Sequence, residues 1–262
     1  MATDPTDDDR KRRTPRRPRR DPDERFFLCH VQKTAGTSLF LGLHRVFHQR
    51  ELYPNDTDGD LVVVAPQLSV PQLEKRWAER GHEIRMLTGH FPLCTIELLD
   101  AEFTTLTMLR EPVERTLSYL RHHRKLTPGE ADRPLEDIYE DPFRFDGLIH
   151  NHMVKMFSLT PETMTAGMLT EVDFTRGHLE RACEQLATVD HVGLQEDFEG
   201  FWNELVEELD WDLGPTAHAN RTGTAEVDEA FRARIAEDNA LDVELYEFAR
   251  RLVADRAATR TR

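Results

Sequence analysis

The chain has 262 residues, 39% of them hydrophobic, with 34 lysines and arginines against 49 aspartates and glutamates, a formal charge of −15. That length carries one sizeable core and excludes two large domains. No run of about 18 apolar residues exists, which excludes a transmembrane helix, and the acidic balance argues against a general nucleic-acid binder.

The charge is unevenly spread. Residues 10–20 (RKRRTPRRPRR) hold eight basic residues and no acid, and the remainder carries 26 basic against 49 acidic residues, or −23. The basic stretch has prolines and no apolar periodicity. Residues 1–24 therefore read as a disordered, solvated tail, with an electrostatic tether to nucleic acid or an anionic surface as the alternative, ahead of a domain over residues 25–257. The apolar FFLCHV that follows is too short for a signal peptide. Cys29, Cys94 and Cys183 fit neither a zinc pattern nor a disulfide framework, and read as reduced, mostly buried thiols of a cytoplasmic protein.

RFFLCHV (25–31) is predicted to be a buried strand running into the loop KTAGTS. Leu39, Leu43, Val46 and Phe47 then recur at helical spacing on one face. LVVVA (61–65) reads as a second strand, 70–81 as a helix ending at Gly81, IRMLTGH (84–90) as a strand, and FTTLTMLR (103–110) as another. Pro112 suits the first turn of the next helix, where its missing N–H costs nothing. Residues 127–142, rich in proline and acid, read as a surface loop. The chain is mostly helical from about 145, with a short strand at HVGL (191–194), a helix in 197–209 and one final helix over roughly 226–257. Alternating strands and helices predict an α/β fold in three layers, a mainly parallel sheet with helices on both faces.

Two segments carry chemistry. A loop between a buried strand and a helix N-terminus is an anion site, because unpaired N–H groups and the helix dipole both favour negative charge. Lys33 supplies a cation there, Gly36 lets the backbone come close, Thr34, Thr37 and Ser38 supply hydroxyls, and the amides from Ala35 to Ser38 face the ligand. This is not a Walker A motif, since the lysine precedes the glycine and no second glycine exists. Farther on, Arg110 ends a strand and Ser118 lies about two turns into the next helix, on a face shared with Glu114 and Arg115. An arginine fork and a hydroxyl there can grip a second phosphate.

HVQKTAGTSL and LREPVERTLSYL resemble the 5′-phosphosulfate and 3′-phosphate segments of sulfotransferases that use 3′-phosphoadenosine 5′-phosphosulfate (PAPS). The branch is that of the heparan sulfate 2-O- and 6-O-sulfotransferases and their bacterial relatives. Gln32 stands where that branch has proline. HNHMVKMFS (150–158), VGLQEDFEGFWNEL (192–205), HANRT (218–222) and DNALDVELYEFA (238–249) resemble its downstream segments, so the resemblance spans residues 25–252. It implies a P-loop-like fold and PAPS as co-substrate, with no metal. It also implies in-line transfer to a hydroxyl of a carbohydrate or small molecule, with Lys33 at the leaving oxygen. His90, after the strand at Thr88-Gly89-His90, aligns with that branch's base, and histidine is the usual base near neutral pH. Asn220 and Thr222 are implied nucleotide contacts. His30 is expected to point into the sheet. His122 and His123, in RHHRK, read as a solvated helix end, with a receiver of an anionic acceptor as the alternative. A net −23 on the body disfavours a long polyanionic glycan unless the cleft is locally basic. The rival readings are a P-loop kinase-like phosphotransferase, and a non-enzymatic interaction protein on a degenerate sulfotransferase fold.

Overall fold

The computed structural model describes residues 23–59, 65–216 and 227–260. The basic stretch at 10–20, residues 61–64 of LVVVA and the HANRT segment lie outside the described residues. In chain order the elements are β1 (Phe26–Cys29), α1 (Gly36–Val46), β2 (Leu52–Tyr53), α2 (Ala65–Leu68), α3 (Val70–Arg80), β3 (Met86–Leu87), β4 (Thr104–Leu109) and α4 (Pro112–Leu126). They continue with α5 (Leu135–Tyr139), α6 (Pro142–Arg144), α7 (His152–Ser158), α8 (Arg176–Thr188), β5 (His191–Leu194), α9 (Phe198–Leu209), α10 (Glu229–Asp238) and α11 (Ala240–Arg260). None of these helices is long and apolar enough to cross a membrane.

The five described strands are all parallel, in the order β2-β3-β1-β4-β5. Side chains alternate across each strand, and the core divides accordingly. Phe27, Cys29 and Leu87 face a core completed by α3, α7, α8 and α11. Phe26, Leu28, Met86, Leu106 and Met108 face the other, completed by α1, α9 and Trp211. Gly193 in β5 is needed for that second layer, because a Cβ there would lie 2.4 Å from the ring of Phe201. Cys29, Cys94 and Cys183 are free, the first two buried.

Three expectations need correction. The strand at 84–90 is only two residues long, and the edge strand β2 had no sequence signal beyond a short apolar pair. Within 127–142, expected as a surface loop, Leu135, Ile138 and Tyr139 form a buried helical face that packs with Val113, Leu117, Leu120, Phe231 and Ile235. The single final helix is two, broken at the buried Asn239.

That break is held by reciprocal caps. Asn151, in the left-handed conformation that asparagine tolerates, accepts from the N–H groups of Leu241 and Asp242 at 3.1 Å each, at the start of α11. Asp242 in turn accepts from Met153 and Val154 at 3.1 and 2.8 Å, at the start of α7. Asn239 accepts from the Asn151 N–H at 2.8 Å. Orphan donors of two helices are thereby satisfied inside the protein. Burial pushes the Asp242 carboxyl up to about 6, against the opposing pull of Arg115 and of the two amide bonds.

Arg115 and Lys155 serve the turn in front of that knot. Residues Phe145–Ile149 form one wide π turn. Its carbonyls are taken by two fully buried cations: Arg115 donates to Leu148 and Ile149 at 3.1–3.3 Å, and Lys155 to Asp146 and Gly147 at 2.6 and 3.2 Å.

Asp242→Ala removes the caps on α7 and an acidic counter-charge to the buried Arg115. A loss of about 3 kcal/mol, roughly 6–12 °C in Tm, is expected from a thermal melt. A melt within about 2 °C of the parent would show that the knot contributes little.

Candidate active site

The connection leaving β1 runs to β2 on one side of it and the connection leaving β3 crosses to β4 on the other, so the chain direction reverses at β1 and a crevice opens at the carboxyl ends of the strands. Ligands of open α/β sheets bind in such a crevice. Here a cavity of about 660 Å³ occupies it, a volume typical of small-ligand sites at roughly 300–1,000 Å³. Four of the five described strands lead into lining residues beyond their ends: His30, Gln32 and Lys33 after β1, His90 after β3, Arg110 after β4 and Gln195 after β5.

The loop after β1 is strained. Lys33 and Ala35 have φ of 69° and 73°, the left-handed region that a non-glycine residue adopts at a cost of about 1–3 kcal/mol, and such strain concentrates at functional sites. The alternation turns successive amides toward one side, the geometry of an anion-binding nest. Gly36 and Thr37 follow as the first residues of α1, where N–H groups have no intrahelical acceptor. Ser38 is buried and lines the cavity, although its amide is partly used by the carbonyl of Ala35 at 3.0 Å. The hydroxyl of Thr37 is outside what the structure describes.

Two expected roles change. Thr34 turns its hydroxyl inward, donating to the Val31 carbonyl at 2.9 Å, and is absent from the cavity wall. It pins the loop and leaves the ligand to others. Gly36 lines the cavity, and its missing Cβ also makes room for a ring: a Cβ there would fall 1.7 Å from Nε2 of His30. His30 itself lines the cavity, against the expectation that it points into the sheet. Its ring lies 4.2 Å from that of His90, tilted by 35°.

His90 is oriented by backbone on both sides. Its N–H donates to the Gln67 carbonyl at 2.7 Å, and Nδ1 lies 2.9 Å from the His30 carbonyl. A carbonyl only accepts, so Nδ1 carries the proton and Nε2 keeps a free lone pair in the neutral ring. Burial lowers the pKa of His90, and Lys33 lowers it further. Burial lowers that of His30 well below the ordinary range, with His90 as the next cause.

Arg110 and Ser118 meet the loop from the other side. Arg110 donates to the Lys33 carbonyl at 3.3 Å, and lies 3.8 Å from Glu114, which is itself held by Arg232 at 2.8 Å. Nε of Arg110 is buried without a hydrogen-bond partner, an orphan that a bound anion would satisfy. Ser118, buried on α4, lines the same wall. Burial, and then the nearby Arg110, bring the Lys33 ammonium down to about 8. Lys33, Arg110, Arg144 and four histidines line the cavity, and among the described residues no carboxylate does. The cleft is locally basic in an acidic chain.

Sequence reasoning missed His30, Arg144 and Gln195 as lining residues, and took His122 and His123 as a solvated helix end. Their only signal was position: one residue before the loop, one after β5, and one turn beyond Ser118. On the opposite side of β5, His191 lies 3.0 Å from Glu204 and 3.7 Å from Glu208, but Arg260 pairs with both acids and supplies the balancing charge. No family model matches the chain, and no curated protein matches it.

Gly36→Ala must displace the His30 ring. A loss of about 1–3 kcal/mol is expected, together with shifted ring resonances of His30 and His90 by NMR. Unchanged resonances in a folded variant would show that the ring does not occupy that space.

Proposed function

We propose that the chain binds PAPS and transfers its sulfuryl group to an acceptor hydroxyl. One observation carries this reading: the Lys33 loop and the Arg110–Ser118 pair face a single cavity from two strand ends, with no carboxylate among its described lining residues. A ligand with two separate phosphate groups, at its 5′ and 3′ positions, needs anion sites on two elements. A linear triphosphate does not. The strand–loop–helix opening, with β1 central in a parallel sheet, supports a P-loop-like reading of the fold.

In this reading Lys33 and the amides at the start of α1 hold the 5′ end, while Arg110 and Ser118 hold the 3′-phosphate. The acceptor oxygen bonds to sulfur as the bond from sulfur to the bridging oxygen breaks. The electron pair leaves on 3′,5′-ADP beside Lys33, and the hydroxyl proton passes to Nε2 of His90. Positioning and fixed positive charge do most of the work, as in phosphoryl transfer. No step calls for a metal.

Thermal melts with 3′,5′-ADP, ADP and ATP, each with and without magnesium, test the donor site. A ligand at about 100 times its Kd stabilises by about 2.7 kcal/mol, several degrees here. A shift with 3′,5′-ADP that falls to the ADP level in Arg110→Ala is expected. A shift with magnesium-ATP instead would indicate a phosphotransferase, and none with any nucleotide a non-catalytic protein.

The pH dependence of kcat/KM, which reports the free enzyme, is expected to be bell-shaped. The base must be neutral, and burial lowers the pKa of His90, so the acid limb lies below pH 6.5. The cation must be charged, so the alkaline limb lies near 8, where Lys33 loses its proton. Lys33→Arg should move that limb upward, and His90→Ala should abolish turnover in a folded protein. Retained turnover in His90→Ala would place the base elsewhere.

A further inference from the structure

We propose that the acceptor end of the cavity takes the hydroxyl of an uncharged, largely apolar molecule, an aromatic or aliphatic alcohol, rather than a polyanionic glycan. This rests on the donor reading above, and two independent features of the cavity carry it.

The first is an apolar wall beside His90. Leu68, Leu148 and Leu169 all line the cavity and are half-buried. They come from three separate segments locked together. Leu68 follows Gln67, whose carbonyl holds the His90 amide at 2.7 Å. Gly167, two residues before Leu169, packs so closely on Leu68 that a Cβ would lie 3.0 Å from its carbonyl oxygen. Leu148 sits on the π turn held by Arg115, and the neighbouring Gly147 abuts the Leu169 side chain. Phe143, 67% exposed, continues the apolar surface at the rim. A hydroxyl presented to Nε2 of His90 therefore has hydrocarbon beside it.

The second is that two basic side chains beyond the donor groups, His123 and Arg144, already meet acids. His123 meets Glu130 at 2.9 Å, and Glu130 also holds Arg133 at 3.0 Å and reaches Arg144 at 4.0 Å. Asp141 holds Arg144 at 2.6 Å. A sulfated glycan would have to displace these acids, which lie just behind the wall. By contrast Lys33 has no carboxylate within salt-bridge distance among the described residues, and Arg110 shares Glu114 with Arg232. Free positive charge is concentrated at the donor end, and the rest of the cavity offers apolar surface, which binds uncharged acceptors.

The test uses the whole chain saturated with 3′,5′-ADP, titrated with 2-naphthol, whose fluorescence reports binding, and separately with a heparan sulfate tetrasaccharide. Saturable 2-naphthol binding is expected, weakened about tenfold in Leu169→Asp, with 3′,5′-ADP affinity unchanged. Leu68→Gln, at a half-exposed position, serves the same purpose if Leu169→Asp does not fold. Glu130→Gln combined with Asp141→Asn, which together release His123 and Arg144, is expected to raise tetrasaccharide binding several-fold above the parent. Tight tetrasaccharide binding by the parent without 2-naphthol binding would overturn the proposal. So would 2-naphthol binding indifferent to both leucine variants. Failure of 3′,5′-ADP itself to bind the parent would instead bring down the donor reading, and this inference with it.

Discussion

The parallel pairing of β1 with both β3 and β4 is the constraint on which the site depends. Registers such as Phe27 against Leu87 and Cys29 against Thr107 bring the strand ends to one level. The chain must then leave the sheet at that level. It does so through a loop with two left-handed non-glycine residues, a His90 held by two carbonyls, and an Arg110 that donates to the Lys33 carbonyl. Strained backbone persists only where its surroundings over-determine it. Here the Thr34 hydroxyl, the Arg110 fork and the His30 ring against Gly36 do so from three directions.

Electrostatics then divides the cavity. The chain carries −15 overall, yet this cleft is lined by lysine, arginine and histidine side chains. The acids nearby are engaged elsewhere: Glu111 caps α4 by accepting from Val113 and Glu114, Glu114 is held by Arg232, and Glu130 and Asp141 compensate the rim. Desolvation without a counter-charge is what brings the Lys33 ammonium down toward neutrality. An anion entering beside it would restore the charge and satisfy the orphan Nε of Arg110. A site of that kind is organised for an anion before one arrives.

Behind the cavity, the caps exchanged by Asn151 and Asp242 join α7 to α11, and the buried cations Arg115 and Lys155 hold the π turn. Wide turns of this type recur at functional sites, and this one carries Leu148 into the cavity wall. Burying these charges is costly unless they are hydrogen-bonded, and the four carbonyls they grip hold the segment that shapes the wall.

Much of this was legible in the amino-acid order. Alternating Phe26, Phe27, Leu28 and Cys29 marks a strand buried on both faces, and the glycine loop followed by Leu39 and Leu43 marks the helix behind it. Arg110, Pro112 and Ser118 mark a second strand-to-helix junction. Those patterns are local, with periods that one segment can display alone, so the strand–loop–helix units and the candidate residues Lys33, His90, Arg110 and Ser118 could be read directly. Tertiary structure decided the rest. A buried helix at Leu135–Tyr139 looks like a loop until Phe231 and Ile235 cover it, and the last helix looks continuous until Asn151 caps it from about 90 residues away. Thr34 and Gly36 carry the composition of a phosphate loop, but their actual partners are Val31 and His30. Which hydroxyl faces the ligand, which ring fills a glycine's space and which cations are already paired depend on contacts between distant segments, and no local period encodes them.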